Sequence, residues 1–321
     1  MESQSNRTRG YAIALLSAAI LSTTAIFIRH LTQVYHMPPL VLAFWREGFV
    51  ALTLIIVLGV MRPALLILPR RAVPYLIAYG LMLALFNSLW TISVAINGAA
   101  ISTVLVYSSA GFTALLGWWL LKERLDGYKL VAVVVSLSGC ALVSDAINAA
   151  AWQANLLGII TGILSGLGYA GYSLMGRSAA QRGLNPWTTL LYTFGFAAMF
   201  LFTLNLVFGG LLPGAANRPS DFFWLGDSAM GWAVLFLLAA GPTVLGYGTY
   251  NVSLTYLPSS VVNLIATIEP VFTAVIAFLI FGELLNGMQI LGSALILSAV
   301  ILLRLHEDAI AKEKSSEPIA P

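Results

Sequence analysis

The sequence predicts an all-α polytopic membrane protein of ten transmembrane helices, arranged as two inverted five-helix repeats. Three observations carry that prediction. Of 321 residues, 59% are hydrophobic and 9% are charged, whereas soluble domains carry roughly 25% charged residues. So few charges cannot cover a water-facing surface, and lipid must take the place of water. Apolar runs of the roughly 20 residues needed to cross a bilayer recur ten times along the chain. Finally, one seventeen-residue motif occurs twice, 160 residues apart.

The first run, 10–30, follows Arg7 and Arg9. That start mimics a secretory signal, but the run is long and no A-x-A site follows it, so it reads as a retained span. Runs at 38–61, 73–96, 99–121 and 127–145 complete a first half, 10–145. A second half, 156–305, holds runs at 156–177, 186–211, 230–251, 259–281 and 287–305. The links are mostly short and carry Pro, Gly, Asn or a charge, which are turn signals. The longest, 212–229, is rich in Pro, Gly and Asp. The polar residues 306–321 predict a disordered tail.

Ten spans put both termini on one side. With that side cytoplasmic, thirteen Lys and Arg residues fall inside and only Arg29 and Arg218 outside, while Arg46 lies within a span. Such a bias is the positive-inside pattern, and one missed helix would scramble it.

The motif copies are GFTALLGWWLLKERLDG from Gly111 and VFTAVIAFLIFGELLNG from Val271, with six of seventeen positions identical. At the same offset Asn87 falls on Tyr247 and Trp90 on Tyr250. Upstream, an offset of 148 aligns Ser17 with Ser165, Arg29 with Arg177 and Pro38 with Pro186. Five spans per copy is odd, so the second half enters the membrane from the opposite side. Loss of Lys122 and Arg124 in the second copy follows from that inversion. Inverted repeats are a signature of carriers that alternate between two mirrored openings. The doubled Phe-Thr-Ala and Glu-x-Leu-x-Gly motif, over nearly all of 10–305, resembles the EamA-type proteins of the drug/metabolite transporter superfamily. The resemblance implies a bacterial inner-membrane exporter of small metabolites, often amino acids, without an ATP-binding part. Aromatic and hydrophobic amino-acid exporters are the relatives to compare first.

Candidate site residues follow from polarity inside the spans. Asn87, Trp90 and Thr91 share one helical face, and Tyr247, Tyr250 and Asn251 repeat that geometry. Two related faces of amides and aromatics suit one central cavity for an apolar substrate with polar groups. Tyr107, Tyr169 and Tyr172 join them as substrate-binding candidates, with Tyr79 and Trp45 as weaker members. Glu269 lies about 15 Å into its span, before Pro270, and Arg46 and Glu47 about 11 Å into theirs. A lone carboxylate at such depth must be paired or protonated. Three roles are open: Glu269 as a proton carrier, Arg46 paired with Glu269 or Glu47 as glue, or Arg46 as a clamp for a substrate carboxylate. Glu123 and Glu283 read as caps for the next helix start. Gly158, Gly162 and Gly166, with Gly10, Ala14 and Ala18 in the first half, form small-residue packing stripes.

Other chemistry is poorly provisioned. His30, His36 and His306 form no metal-ligand cluster, and neither a G-x-S-x-G elbow nor a phosphate-binding loop is present. A membrane enzyme is therefore disfavoured, and no cofactor or metal is expected. A net charge of +3 does not point to nucleic acid. Cys140, the one cysteine, reads as a small buried hydrophobe. The expected partners are a small-molecule substrate and the bilayer, with the protein acting as a monomer by alternating access. A uniporter or channel-like facilitator for another small organic solute or drug is the alternative.

Overall fold

The structure, a computed structural model, describes residues 2–143, 156–212, 214–281 and 286–316. All regular secondary structure among them is helical. Seven helical stretches are long and apolar enough to cross a membrane, and three shorter apolar helices fall on the predicted fifth, ninth and tenth spans.

The first span consists of α1 (Glu2–Leu21) and α2 (Thr24–Gln33). It breaks where Ser22 and Thr23 turn their hydroxyls back onto Ala19 O and Ile20 O, both at 2.7 Å. Such local bonds compete with the helical ladder. The second span, α3 (Pro39–Met61), starts on Pro39, whose missing N–H is an orphan there anyway. Residues Val73–Tyr107 follow as α4. Yet Ser93 Oγ and Ser102 Oγ are 2.9 Å apart, where nine residues of straight helix would separate them by about 13.5 Å. The axis therefore reverses between them, and α4 supplies the third span and the start of the fourth. After a kink at Ser108, α5 (Ser109–Leu121) completes the fourth and ends on Lys122 in the left-handed region, φ 56°. The fifth span is α6 (Gly127–Val143).

In the second half, α7 (Leu156–Gln181) is the sixth span. The seventh, α8 (Pro186–Phe208), starts under an Asn185 side chain that accepts from Trp187 N–H at 2.9 Å. In the eighth span, α9 (Ala229–Leu238) and α10 (Val244–Tyr256) are joined by one wide turn over 239–243. Pro242 cannot donate to Leu238 O, and the Thr243 hydroxyl does so instead at 2.8 Å. The ninth span divides into α11 (Ser259–Ala266) and α12 (Glu269–Phe281), and the tenth is α13 (Gly287–Ser316). Residues 306–316, predicted as a disordered tail, continue α13 as helix. Extending an existing helix needs no new nucleus, and the Glu, Ala and Lys residues there are good helix formers.

The halves interleave. Helix α1 packs on α10, α3 on α8, α4 on α7, α5 on α11 and α6 on α13. In span numbers these pairs are 1/8, 2/7, 3/6, 4/9 and 5/10. A shift of five spans exchanges 1/8 with 3/6 and returns the other pairs to themselves, which is the inverted repeat in three dimensions. The breaks partly obey it: Ser108 plus 160 is Ile268, where the ninth span also breaks. The breaks at Ser22 and at 239–243 have no counterparts in α7 or α4; both lie on the 1/8 pair. Spans five and ten touch backbone to backbone. A Cβ on Gly139 would lie 2.7 Å from Gly292 O, and a Cβ on Gly292 equally close to Gly139 O. Small residues permit that approach where lipid supplies no hydrophobic drive.

The end that carries both termini is tied across the halves. Arg9 stacks on Tyr256 at 5.7 Å and Arg182 on Tyr75 at 4.3 Å. Tyr75 donates to Met175 O at 2.5 Å, and Asp126 meets His306 at 3.0 Å. Glu123 accepts hydrogen bonds from Ser259 and Ser260. It caps α11, in the other half, and not the next helix as the sequence predicts. Glu283 lies outside the described residues. At the opposite end the 212–229 link covers span two: Trp45 donates to Phe222 O at 2.6 Å and Trp224 to Tyr35 O at 3.0 Å.

Candidate functional site

The site builds from three polar groupings between the interleaved halves. In the first, α3 presents Arg46 and Glu47, which are 2% and 0% exposed. Arg46 Nη2 donates to Glu47 Oε1 at 2.9 Å. Asn87 of α4 donates to the same oxygen. Of the pairings the sequence leaves open, the structure forms Arg46–Glu47. Arg46 Nε and Glu47 Oε2 remain without a hydrogen-bond partner among the described residues.

The second grouping is a wall of tyrosines. Tyr79 and Tyr172 rings lie 4.9 Å apart, Tyr172 and Tyr247 5.6 Å, Tyr169 and Tyr250 5.9 Å. Phe86 stacks on Tyr169 at 5.0 Å. Tyr172 donates to Asn251 Oδ1 at 3.3 Å. Most buried polar groups are hydrogen-bonded, although the Tyr79 hydroxyl and Asn251 Nδ2 lack a partner among the described residues. A chain of side chains meets that need across four spans. Ser109 donates to Asn263 Oδ1 at 2.9 Å, Asn263 donates to Ser173 Oγ at 3.0 Å, and Ser173 shares a hydrogen bond with the Tyr250 hydroxyl at 2.6 Å. Sequence reasoning missed Ser109, Ser173 and Asn263. An amide in the middle of an apolar run, as Asn263 is, was the available signal.

The third grouping centres on Glu269, the first residue of α12 after the break in span nine. Its side chain is half-buried. The Tyr107 hydroxyl is within hydrogen-bonding reach of its carboxyl. Cys140, Tyr169, Tyr247 and Tyr250 are its neighbours in this layer. Tyr247 stands between the groupings, within reach of Arg46 and Glu47 on one side and Glu269 on the other. Cys140 is buried, its thiol 3.7 Å from Thr267 O.

The structure thus gathers ten of the eleven sequence-predicted residues into one continuous site: Arg46, Glu47, Asn87, Tyr107, Tyr169, Tyr172, Tyr247, Tyr250, Asn251 and Glu269. Trp90 stands apart. It packs where this core meets a second aromatic cluster around Trp45, Phe49 and Trp232. Tyr79, a weaker candidate, sits inside the tyrosine wall. Arg46 and Glu47 pair with each other, and the neutral Tyr107 hydroxyl neighbours the Glu269 carboxyl.

Ten spans in two interleaved inverted halves, closed around a polar layer, define a helical membrane transporter of the inverted-repeat class. Comparison with known proteins agrees. The model of the EamA-like transporter family matches residues 8–145 and again 156–305, and the chain belongs to that family. An uncharacterized transporter of Archaeoglobus fulgidus is 25% identical over 91% of this chain and 95% of its own length. A probable amino-acid metabolite efflux pump of Escherichia coli is 24% identical over 90% of this chain and 93% of its own length. A solved crystal structure superposes with a TM-score of 0.71 at 16% identity, covering 93% of this chain and 98% of that one; this likeness concerns the fold alone.

Proposed function

We propose that this protein is a secondary transporter that exports small metabolites, most of all amino acids with aromatic or hydrophobic side chains, by alternating access. The supporting observation is the layer of Tyr107, Tyr169, Tyr172, Tyr247 and Tyr250 with Asn87, Asn251, Arg46, Glu47 and Glu269 between the two inverted halves. Aromatic walls bury an apolar side chain, and the few polar groups orient its charged end. The efflux-pump name of the Escherichia coli relative agrees with an exported amino acid. We place the protein in a bacterial inner membrane with both termini cytoplasmic, from the distribution of Lys and Arg. The two repeats serve as rocking bodies, and substrate or ion gradients supply the drive. No catalytic role is assigned to the site.

Counterflow in proteoliposomes tests this reading. Labelled phenylalanine, leucine and a non-amino-acid control are offered to vesicles preloaded with unlabelled solute. Transient accumulation of an amino acid is expected. Equilibration without overshoot would mean a pore, the channel-like facilitator.

A further inference from the structure

We propose that Glu123, Ser259 and Ser260 form a latch that holds the termini end of the bundle shut and parts in every transport cycle. The inference rests on the carrier reading, in which the halves move against each other. Glu123 follows α5 in the first half, and the two serines open α11 in the second. One carboxylate takes four hydrogen bonds across that boundary, from two backbone N–H groups at 2.7 and 3.1 Å and from two hydroxyls at 2.7 Å each. Bonds to a charged acceptor are stronger than neutral ones. They are also short-ranged and directional, so a small separation of the halves breaks all four together. Such a contact is either made or lost, as a switch between two arrangements requires.

The chain is shaped to present this carboxylate. After α5, Lys122 takes the left-handed conformation, φ 56°, and the Glu123 N–H returns to Gly117 O at 3.0 Å. The turn lays Glu123 over Gly117, where a Cβ would lie 2.8 Å from Glu123 Oε2 and 3.5 Å from Ser259 Oγ. Gly117 is the notch in which the latch sits. On the other side, Arg177 of α7 donates to Leu254 O at 2.7 Å and to Thr255 O at 3.3 Å. It ties the end of α10 to its own half, so the link that carries the serines moves with that half. Arg9 of α1, from the first half, stacks on Tyr256 in the same link at 5.7 Å. The latch is also one-sided. At the 160-residue offset Ser259 and Ser260 fall on Ala99 and Ala100, which carry no hydroxyl. The opposite end cannot repeat the two hydroxyl bonds, and the equilibrium favours the state with the termini end closed.

The test uses the full-length protein with Cys140→Ala as background. Spin labels on Lys122→Cys and Thr255→Cys, both exposed positions, report the distance across the latch in nanodiscs. Glu123→Gln and, separately, Gly117→Ala are each expected to raise the population of a longer distance about tenfold or more, the shift that one bond to a charged acceptor supplies. Gly117→Ala displaces the carboxylate while adding helix propensity, so the latch stays testable if Glu123→Gln fails to fold. A folded variant with an unchanged distance distribution overturns the inference. In a second experiment Glu123→Cys and Ser259→Cys are joined by a short bis-methanethiosulfonate reagent. The joined protein is expected to lose counterflow of labelled phenylalanine and leucine, and reduction to restore it. Equal counterflow before and after reduction overturns the latch and leaves a static cap. Longer distances in the variants, without counterflow in the unaltered protein, would support the closure and sink the carrier. Counterflow with distances that no variant moves would sink the latch and leave the carrier standing.

Discussion

Glu123 holds Ser259 twice over: the Ser259 N–H and the Ser259 hydroxyl both donate to Glu123 Oε1, each at 2.7 Å. Ser260 repeats the pattern on Oε2, its N–H at 3.1 Å and its hydroxyl at 2.7 Å. A link of the first half thereby caps a helix of the second. Lys129 reinforces the contact, donating to Ser260 Oγ at 3.3 Å and to Arg124 O at 2.6 Å.

Removing that carboxylate leaves four donors without their acceptor. Glu123→Ala is expected to lower stability by about 2–4 kcal/mol, given that hydrogen bonds to charged groups contribute about 1.5–3 each and water recovers part of the loss. A Ser259→Ala, Ser260→Ala double variant keeps both backbone bonds and is expected to lose less than half as much. Thermal unfolding in detergent, followed by tryptophan fluorescence, ranks the two.

The Arg46–Glu47 pair makes an asymmetric prediction. Arg46→Met or Glu47→Leu alone leaves a buried charge unpaired and is expected to cost about 3–5 kcal/mol. The double variant removes both charges and is expected to be milder than either single change. If unfolding midpoints show the two losses simply adding, the pair is not coupled.

Glycine contacts predict opposite outcomes for one substitution. Gly139→Ala forces a Cβ to 2.7 Å from Gly292 O, a backbone atom. It is expected to destabilise by about 1–3 kcal/mol. Gly48→Ala meets nothing within 4 Å and gains helix propensity of up to about 1 kcal/mol. Folded yield and melting temperature of the two variants check the contrast.

At the termini end, burial opposes the charge on Asp126. The Lys129 N–H at 3.0 Å, His306 and Arg124 outweigh it and hold the carboxyl below its usual range. The contribution of a depressed acid is fully present above its unfolded value of about 3.9 and fades as the pH falls through the folded one. Hydrogen exchange over 306–316 should show no Asp126-dependent rise until the pH drops below about 4. Asp126→Asn should remove that acid step.

Much of this fold is legible in the sequence because span length, charge sidedness and the 160-residue repeat are long-range signals that no local contact overrides. The breaks are less so. Ser108 and Ser22 interrupt apolar runs without a proline, through hydroxyls that bond back to Leu105 O and Ala19 O. Of the site, the tyrosines and the two deep acids stand out by polarity alone. The partner of Glu123 does not, since a cap supplied from 136 residues away is a tertiary fact. Ser109 and Ser173 resemble the many serines that serve only their own helix, as Ser298 does with Leu295 O. The helical stretch 306–316 escapes notice because it is polar, although its residues favour helix.

Every principal helix pairing in the bundle joins a span from one repeat to a span from the other. The peptide connecting them is therefore not what keeps the repeats together. Two polypeptides made separately, parted anywhere from residue 145 to 155, should recognise each other in the bilayer and restore the whole. Each fragment alone would present to lipid the faces, Gly139 and Gly292 among them, that are shaped to receive its sister.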